Sequence, residues 1–306
     1  MALHHVKRAL GARPKPQHGR HPDRRSHHRM SSDHDIERKR RRMPIVASLA
    51  LVLVGTAALA LSQDDHALDE IHKYRQMLEE GNPAELAMAR GEELWVTKRG
   101  PNQSTLEQCD LGLGPGKLEG AYAQLPRYFA DTGKVQDVES RLVTCITTLQ
   151  GRSYEEAIKD WYKPDSDLAS LVTHVAGKSR GTKIDVRAAH PKEAEMAAVG
   201  EALFFRRSGP LDFSCATCHS QENRRIRLQE VPDFVTNAGA RSAMTQWPAY
   251  RVSQGSVWTM EHRLIDCIAQ MRWPEPQYLS DALVALEVYL QKQAEGGVME
   301  APGIKR

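Results

Sequence analysis

The sequence predicts an all-α fold made of two similar halves, and three observations carry that expectation. Apolar residues recur at helical spacing along most of the chain. Alternating, β-branched strand signals are scarce. A pattern in residues 91–145 returns, in the same order, in residues 200–267. At 306 residues the chain can hold two domains and bury an ample core.

The leading stretch is unlike the rest. Residues 1–43 hold 13 Lys/Arg against 4 Asp/Glu, and seven of the 13 histidines lie in residues 1–34. Without hydrophobic period, this segment reads as a disordered basic extension, or as a mis-start upstream of Met30 or Met43. Residues 44–60 carry no charge. Arg38–Arg42, the apolar run Ile45–Leu61 and Ala58-Leu59-Ala60 have the layout of a secretory signal cleaved after Ala60. An uncleaved membrane anchor is the rival, because the run is near the lower length limit for spanning. In both cases the folded part lies across the membrane, in an oxidising periplasm where disulfides form. The remainder has 35 acidic and 29 basic residues, so the net charge of +3 comes from the leader and is no sign of a nucleic-acid partner.

Asp64–Glu80 places Leu68, Ile71, Tyr74, Met77 and Leu78 at helical spacing, and Gly81-Asn82-Pro83 stops it. Pro83 opens a second helix to about Lys98. Asn102–Gly116 is rich in turn residues. Helices are expected at about Ala121–Asp131 and Val135–Gln150, the latter ended by Gly151. Ser153-x-x-Glu156 is a capping box, Pro164 ends that helix, and Ser166 caps the next, to Ala176. Gly177–Val186 is a polar linker, dividing residues 61–177 from residues 178–306. Pro191 opens a helix to about Arg206. Asn223–Gly255 reads as mostly irregular, and helices return at about Val257–Met271 and Tyr278–Ala294.

Cys215-Ala216-Thr217-Cys218-His219 is the C-x-x-C-H pattern of covalent c-type haem attachment. Two thiols three residues apart can each form a thioether to one haem vinyl group, and the adjoining imidazole meets the iron. A redox C-x-x-C expects a βαβ setting, and none is visible. A structural zinc site needs a second ligand pair, which is absent from the sequence.

The internal repeat sharpens this. Gly91-Glu92-Glu93-Leu94-Trp95 with Gly100-Pro101 returns as Gly200-Glu201-Ala202-Leu203-Phe204 with Gly209-Pro210, and a cysteine follows each, Cys109 and Cys215. Glu139-Ser140-Arg141-Leu142-Val143-Thr144-Cys145 returns as Glu261-His262-Arg263-Leu264-Ile265-Asp266-Cys267. After Cys109 there is neither a second cysteine nor a histidine, so the first copy lacks what haem attachment needs. Matched folds would bring Cys109 and Cys145 to the same place, and an oxidising compartment would join them; two separate buried thiols are the alternative.

Cys267 is then left without a protein partner. It follows Arg263 by four residues on one helix face. A guanidinium there favours thiolate, the form that ligates metal and attacks sulfur, and suits an anionic substrate; a structural salt bridge or a contact to a haem propionate is the alternative for Arg263. The candidates for a sixth iron ligand are Met244, Met260, Met271, His174, His190, His262 and Cys267, and of these Cys267 has a counterpart cysteine in the other half. A Met or His ligand would instead fit a plain electron-transfer cytochrome. Arg224, Arg225 and Arg227, just after the haem motif, form either a docking face or an ordinary solvated stretch.

These residues resemble a known family, the A subunits of the SoxAX sulfur-oxidation cytochromes. The resemblance covers about residues 66–294. It rests on Cys109–Ala121, Arg141–Cys145, Cys215–His219, and Arg263–Cys267 with Gln270-Met271-Arg272. It implies two tandem cytochrome-c-like domains, the first without haem, and one covalently bound haem c on Cys215 and Cys218. It also implies L-cysteine S-thiosulfotransferase activity, in which thiosulfate is joined oxidatively to a cysteine of the SoxYZ carrier protein and electrons pass to cytochrome c. A small SoxX-like c-type cytochrome is the implied heterodimer partner. By the same resemblance Cys267 ligates iron opposite His219 and is modified to a persulfide, and Arg263 lines the active site.

Overall fold

The computed structural model describes residues 81–306 except 165, 227, 228 and 306, together with Asp69, Glu70, Lys73 and Met77. The leader, the apolar run at 45–61 and most of the expected helix Asp64–Glu80 lie outside the described residues.

Helices dominate. In chain order they are α1 Ala84–Val96, α2 Val138–Gln150, α3 Tyr154–Ile158, α4 Asp167–Gly177, α5 Pro191–Phe205, α6 Cys215–His219, α7 Asn237–Met244, α8 Met260–Gln270 and α9 Asp281–Gln293. Short strands accompany them: β1 Arg127–Phe129, β2 Lys134–Gln136, β3 Arg225–Ile226, β4 Gln229–Glu230, β5 Ala249–Arg251, β6 Ser256–Trp258 and β7 Gly303–Lys305. β1–β2, β3–β4 and β5–β6 are antiparallel pairs, and β7 adds to β5 in parallel, with Arg251 opposite Lys305.

Most helix starts follow the local rules. The Asp137 carboxylate accepts from Ser140 N at 2.8 Å, and Thr259 Oγ1 accepts from His262 N at 3.3 Å, so α2 and α8 begin with equivalent caps. Ser153 and Glu156 close a capping box on α3, and Gly151 ends α2 in the left-handed region, at φ 71°.

The expectation of a helix at Ala121–Asp131 is corrected. That stretch is a 3₁₀ turn, Tyr122–Gln124, followed by the β1 strand. Pro126 supplies no N–H for a continuing helix, and Gly133 at φ 66° turns the chain into β2. Val257 likewise lies in β6, so α8 starts only at Met260. The stretch 223–255 is less irregular than its composition suggests, since it holds α7 and β5. The expected linker is not a free tether: Ile184 and Val186 are buried, and Ile184 N donates to Gly297 O at 2.8 Å.

Residues 84–177 and 191–293 share a core order of elements, with α3 inserted in the first and α6, β3–β4 and α7 in the second. A helix, a hairpin preceded by proline (Pro126, Pro248), a capped helix and a closing helix follow one another in both. The first and last helices of each set pack together, α1 on α4 and α5 on α9. Glycines permit both crossings. A Cβ on Gly91 would stand 2.1 Å from Ser170 O, and one on Gly200 would stand 1.9 Å from Ala285 O.

The two sets meet at the glutamates of the repeated Glu-x-Arg-Leu-x-x-Cys. Glu261 N donates to Glu139 Oε2 at 3.3 Å, and Tyr278 Oη donates to Glu139 Oε1 at 2.8 Å. Asp137, Glu139, Glu261 and Glu287 are all buried there. Burial, then the neighbouring Asp137 charge, pushes the Glu139 carboxyl up to about 8, and Glu261 and Glu287 are raised for the same reasons.

Candidate haem and thiol site

The Cys215–His219 turn is positioned by its own flanks. Ser214 Oγ accepts from Thr217 N at 3.1 Å, and Thr217 Oγ1 accepts from Ser214 N at 2.9 Å, closing a reciprocal cap on α6. Cys215 and Cys218 are free thiols, half-buried on that turn. His219 Nδ1 lies 2.9 Å from Pro232 O. A carbonyl can only accept, so the proton sits on Nδ1 and the Nε2 lone pair is left for a metal. Burial lowers the pKa of His219, which keeps the ring in its ligating, neutral form, and the Arg263 charge adds to that shift.

The remaining free thiol comes from α8. Cys267 is half-buried, and its charge acts on Cys215 while its own ionisation feels Cys218. Burial pushes the Cys215 thiol up to about 12, with the Cys267 charge the next cause. Cys267 itself is raised by burial, opposed by the positive charges of Arg263 and Arg251. Arg263 is a half-buried partner of Asp266, its Nη1 donating to Asp266 Oδ2, and Gln270 Nε2 donates to the same oxygen at 2.7 Å.

This donor set fits a c-type haem. Two unjoined thiols lie on one turn, the adjoining imidazole has its Nε2 free, and a further thiol on another helix shares their field.

The other candidate ligands have their own surroundings. His174 is buried beside Trp95, 6.3 Å between ring centroids, in the α1–α4 pair. His190 caps α5 and stacks on Tyr128 at 3.8 Å. His262 stacks on Trp258 at 4.1 Å and meets Trp161 edge-on at 5.3 Å. Met244, Met260 and Met271 are all buried in the hydrophobic core. Arg225 lies in exposed β3, Arg224 Nη2 donates to Gln221 Oε1 at 2.9 Å, and Arg227 lies outside the described residues.

In the first half Cys109 and Cys145 are joined, with S–S 2.01 Å and Cα–Cα 5.5 Å, and both are buried. Arg141, the counterpart of Arg263, is locked in place. Its Nη1 donates to Asp131 at 2.7 Å, its Nε to Asp110 O at 2.6 Å, and its guanidinium lies 4.0 Å over the Phe129 ring.

Sequence reasoning missed Asp266, Pro232 and Arg251. Asp266 was readable as an acid three residues after Arg263 on a helix. The Pro232 carbonyl leaves no signal, because any residue type supplies one.

A family model described as SoxA/TsdA, cytochrome c domain, matches residues 90–184 and 199–299. The chain is 48% identical over 269 residues to the L-cysteine S-thiosulfotransferase subunit SoxA of Hydrogenophilus thermoluteolus, covering 86% of this chain and 98% of that protein. A protein of the same name from Hydrogenobacter thermophilus is 36% identical over 248 residues, covering 80% and 93%. The crystal structure of SoxXA from P. pantotrophus superposes with a TM-score of 0.64 at 24% identity, over 76% of this chain and 84% of that one, a likeness of fold. Among the described residues no helix is long and apolar enough to cross a membrane.

Proposed function

The chain belongs to the SoxA family, whose cytochrome c domain implies haem c, and from that premise we propose that it is the catalytic haem subunit of a thiosulfate-oxidising complex. It acts as an L-cysteine S-thiosulfotransferase, the activity that its relatives' names carry. It consists of two tandem cytochrome-c-like domains, residues 61–177 and 178–306, and the first holds the Cys109–Cys145 disulfide in place of haem. The matched element order and the paired helix crossings support this reading. The leader at 44–60 exports the chain to the periplasm and is cleaved.

One haem c would be held through Cys215 and Cys218, with the His219 imidazole and the Cys267 thiol as the groups that would ligate its iron. The observation that carries the proposal is that Cys267, from α8, shares the electrostatic surroundings of the Cys215 and Cys218 thiols and of Arg263. When bound, the haem supplies a one-electron acceptor beside Cys267. The chain's own residues do the rest. Pro232 O holds His219 Nδ1, which fixes the ring's orientation. Arg263 and Arg251 favour the Cys267 thiolate against burial.

The Cys267 sulfur bonds the sulfane sulfur of thiosulfate, giving Cys267–S–S–SO3⁻, and two electrons leave. A thiolate of the SoxYZ carrier then attacks the sulfane sulfur, takes the S–SO3⁻ group and releases Cys267 as thiolate. The net change joins thiosulfate to a carrier thiol with loss of one proton and two electrons. The electrons pass through a SoxX-like cytochrome partner to a cytochrome c acceptor. If water instead attacks the sulfonate sulfur of Cys267–S–S–SO3⁻, sulfate and two protons leave and Cys267 is left as a persulfide.

Intact mass with peptide mapping of the purified periplasmic chain tests this. One haem on Cys215 and Cys218, a start near Leu61 and a linked Cys109–Cys145 pair are expected. Absence of covalent haem would overturn it.

A further inference from the structure

Arg263 is the arginine that the sequence pattern offers as the substrate's cation, yet it is already paired with Asp266, which is held in turn by Gln270. That carboxylate offsets part of the Arg263 charge that acts on Cys267. Arg251 is a second cation whose charge acts on Cys267, and its Nε has no partner.

Arg251 ends β5 and is half-buried. Its guanidinium lies 5.6 Å from the centroid of the Trp258 ring, on the paired strand β6. Trp258 stacks on His262, the residue before Arg263 on α8, the helix that carries Cys267. Arg251 makes no ion pair or side-chain hydrogen bond among the described residues, and its Nε is enclosed without a partner. Lys305, opposite Arg251 in the sheet, adds a second positive charge, and its amine donates to Gln246 Oε1. Arg263, Asp266, Cys267 and Lys305 all share the electrostatic surroundings of Arg251. A guanidinium half-withdrawn from water without a carboxylate in hydrogen-bond contact is costly unless an anion completes it.

We propose that Arg251 is a substrate-binding cation of this site beside Arg263, holding the sulfonate oxygens of thiosulfate through its Nη groups while the sulfane sulfur faces Cys267. The inference rests on the thiosulfate reading above and names a residue that selects the dianion. The planar, permanently charged fork matches two sulfonate oxygens, which a single ammonium does less well.

The test uses the haem-loaded complex with its cytochrome partner and carrier protein. In R251Q the KM for thiosulfate should rise about 10- to 100-fold, as for loss of a charged hydrogen bond, with kcat changed far less. R251K should recover part of the loss. Calorimetric titration of the oxidised complex with thiosulfate, without carrier, should show weaker binding by the same factor. If R251Q loses haem, R251M, which keeps the apolar stem against Trp258, carries the comparison. Unchanged KM and binding would overturn the proposal. So would an unchanged KM with a shifted haem potential, which would make Arg251 a propionate anchor instead. Arg251-dependent thiosulfate binding in a wild-type complex that does not turn thiosulfate over would sustain this inference and sink the transferase reading.

Discussion

Replacing Gly200 with alanine sets two expectations of opposite sign against each other. Gly200 lies inside α5, where intrinsic propensity alone gives alanine a gain of about 1 kcal/mol. The packing says otherwise. The new Cβ would lie 1.9 Å from Ala285 O and 2.9 Å from Tyr289 Cβ, both on α9, whereas ordinary contact begins at 3.4 Å. The blocking atom is a backbone oxygen inside a helix, so no rotamer change relieves it. The two helices must part by about 1.5 Å at the crossing, and contacts along both lose dispersion energy. Overpacking costs about 1–3 kcal/mol in cores that can adjust, and this site adjusts poorly, so the net loss should be about 2 kcal/mol or more after the propensity gain. Guanidinium chloride unfolding of the haem-loaded protein, followed by far-UV circular dichroism and haem absorbance, measures it. A midpoint equal to or above that of the wild type would refute the packing argument.

Gly91→Ala should behave alike, because its Cβ would meet Ser170 O at 2.1 Å and His174 Cβ at 2.7 Å; chemical denaturation that leaves it as stable as wild type would break the parallel between the halves. Changing both Cys109 and Cys145 to alanine opens a 36-residue loop and should cost about 4 kcal/mol in the chain-entropy model, and reductant should lower the wild-type melting point but not the variant's. The Glu139 carboxyl, raised to about 8 by burial from an ordinary 4.5, binds its proton more tightly folded than unfolded. Its stabilising contribution is therefore complete below pH 4.5 and is lost as pH rises through about 8. Glu139→Gln should remove that part of the pH dependence, on the order of a few kcal/mol across the window; parallel melting-point profiles for the two proteins would contradict it.

What was legible in the sequence had a local cause. The haem turn, the Ser153 capping box and the Gly151 stop are encoded within a few residues, and each element forms where its signal stands. The duplication was readable because the constraints that keep it, such as the close crossings at Gly91 and Gly200, tolerate few residue types. The hairpin at 127–136 was missed because its apolar residues also satisfy a helical period, and the deciding signals were Pro126 and Gly133. The ion pair between Arg263 and Asp266 lay within one helix and was open to sequence reasoning. The placement of Arg251 was not, because it depends on β5 pairing with β6 and on stacking that crosses from strand to helix.

Cys267→Ala in the assembled, haem-loaded complex bears most directly on the central claim. If Cys267 both ligates the iron and carries the sulfur chemistry, the variant keeps its covalent haem, its resting haem spectrum changes, and thiosulfate-dependent electron transfer falls by about 10³-fold or more, as for loss of a nucleophile. An unchanged spectrum with turnover near the wild-type rate would contradict the account and leave a plain electron carrier.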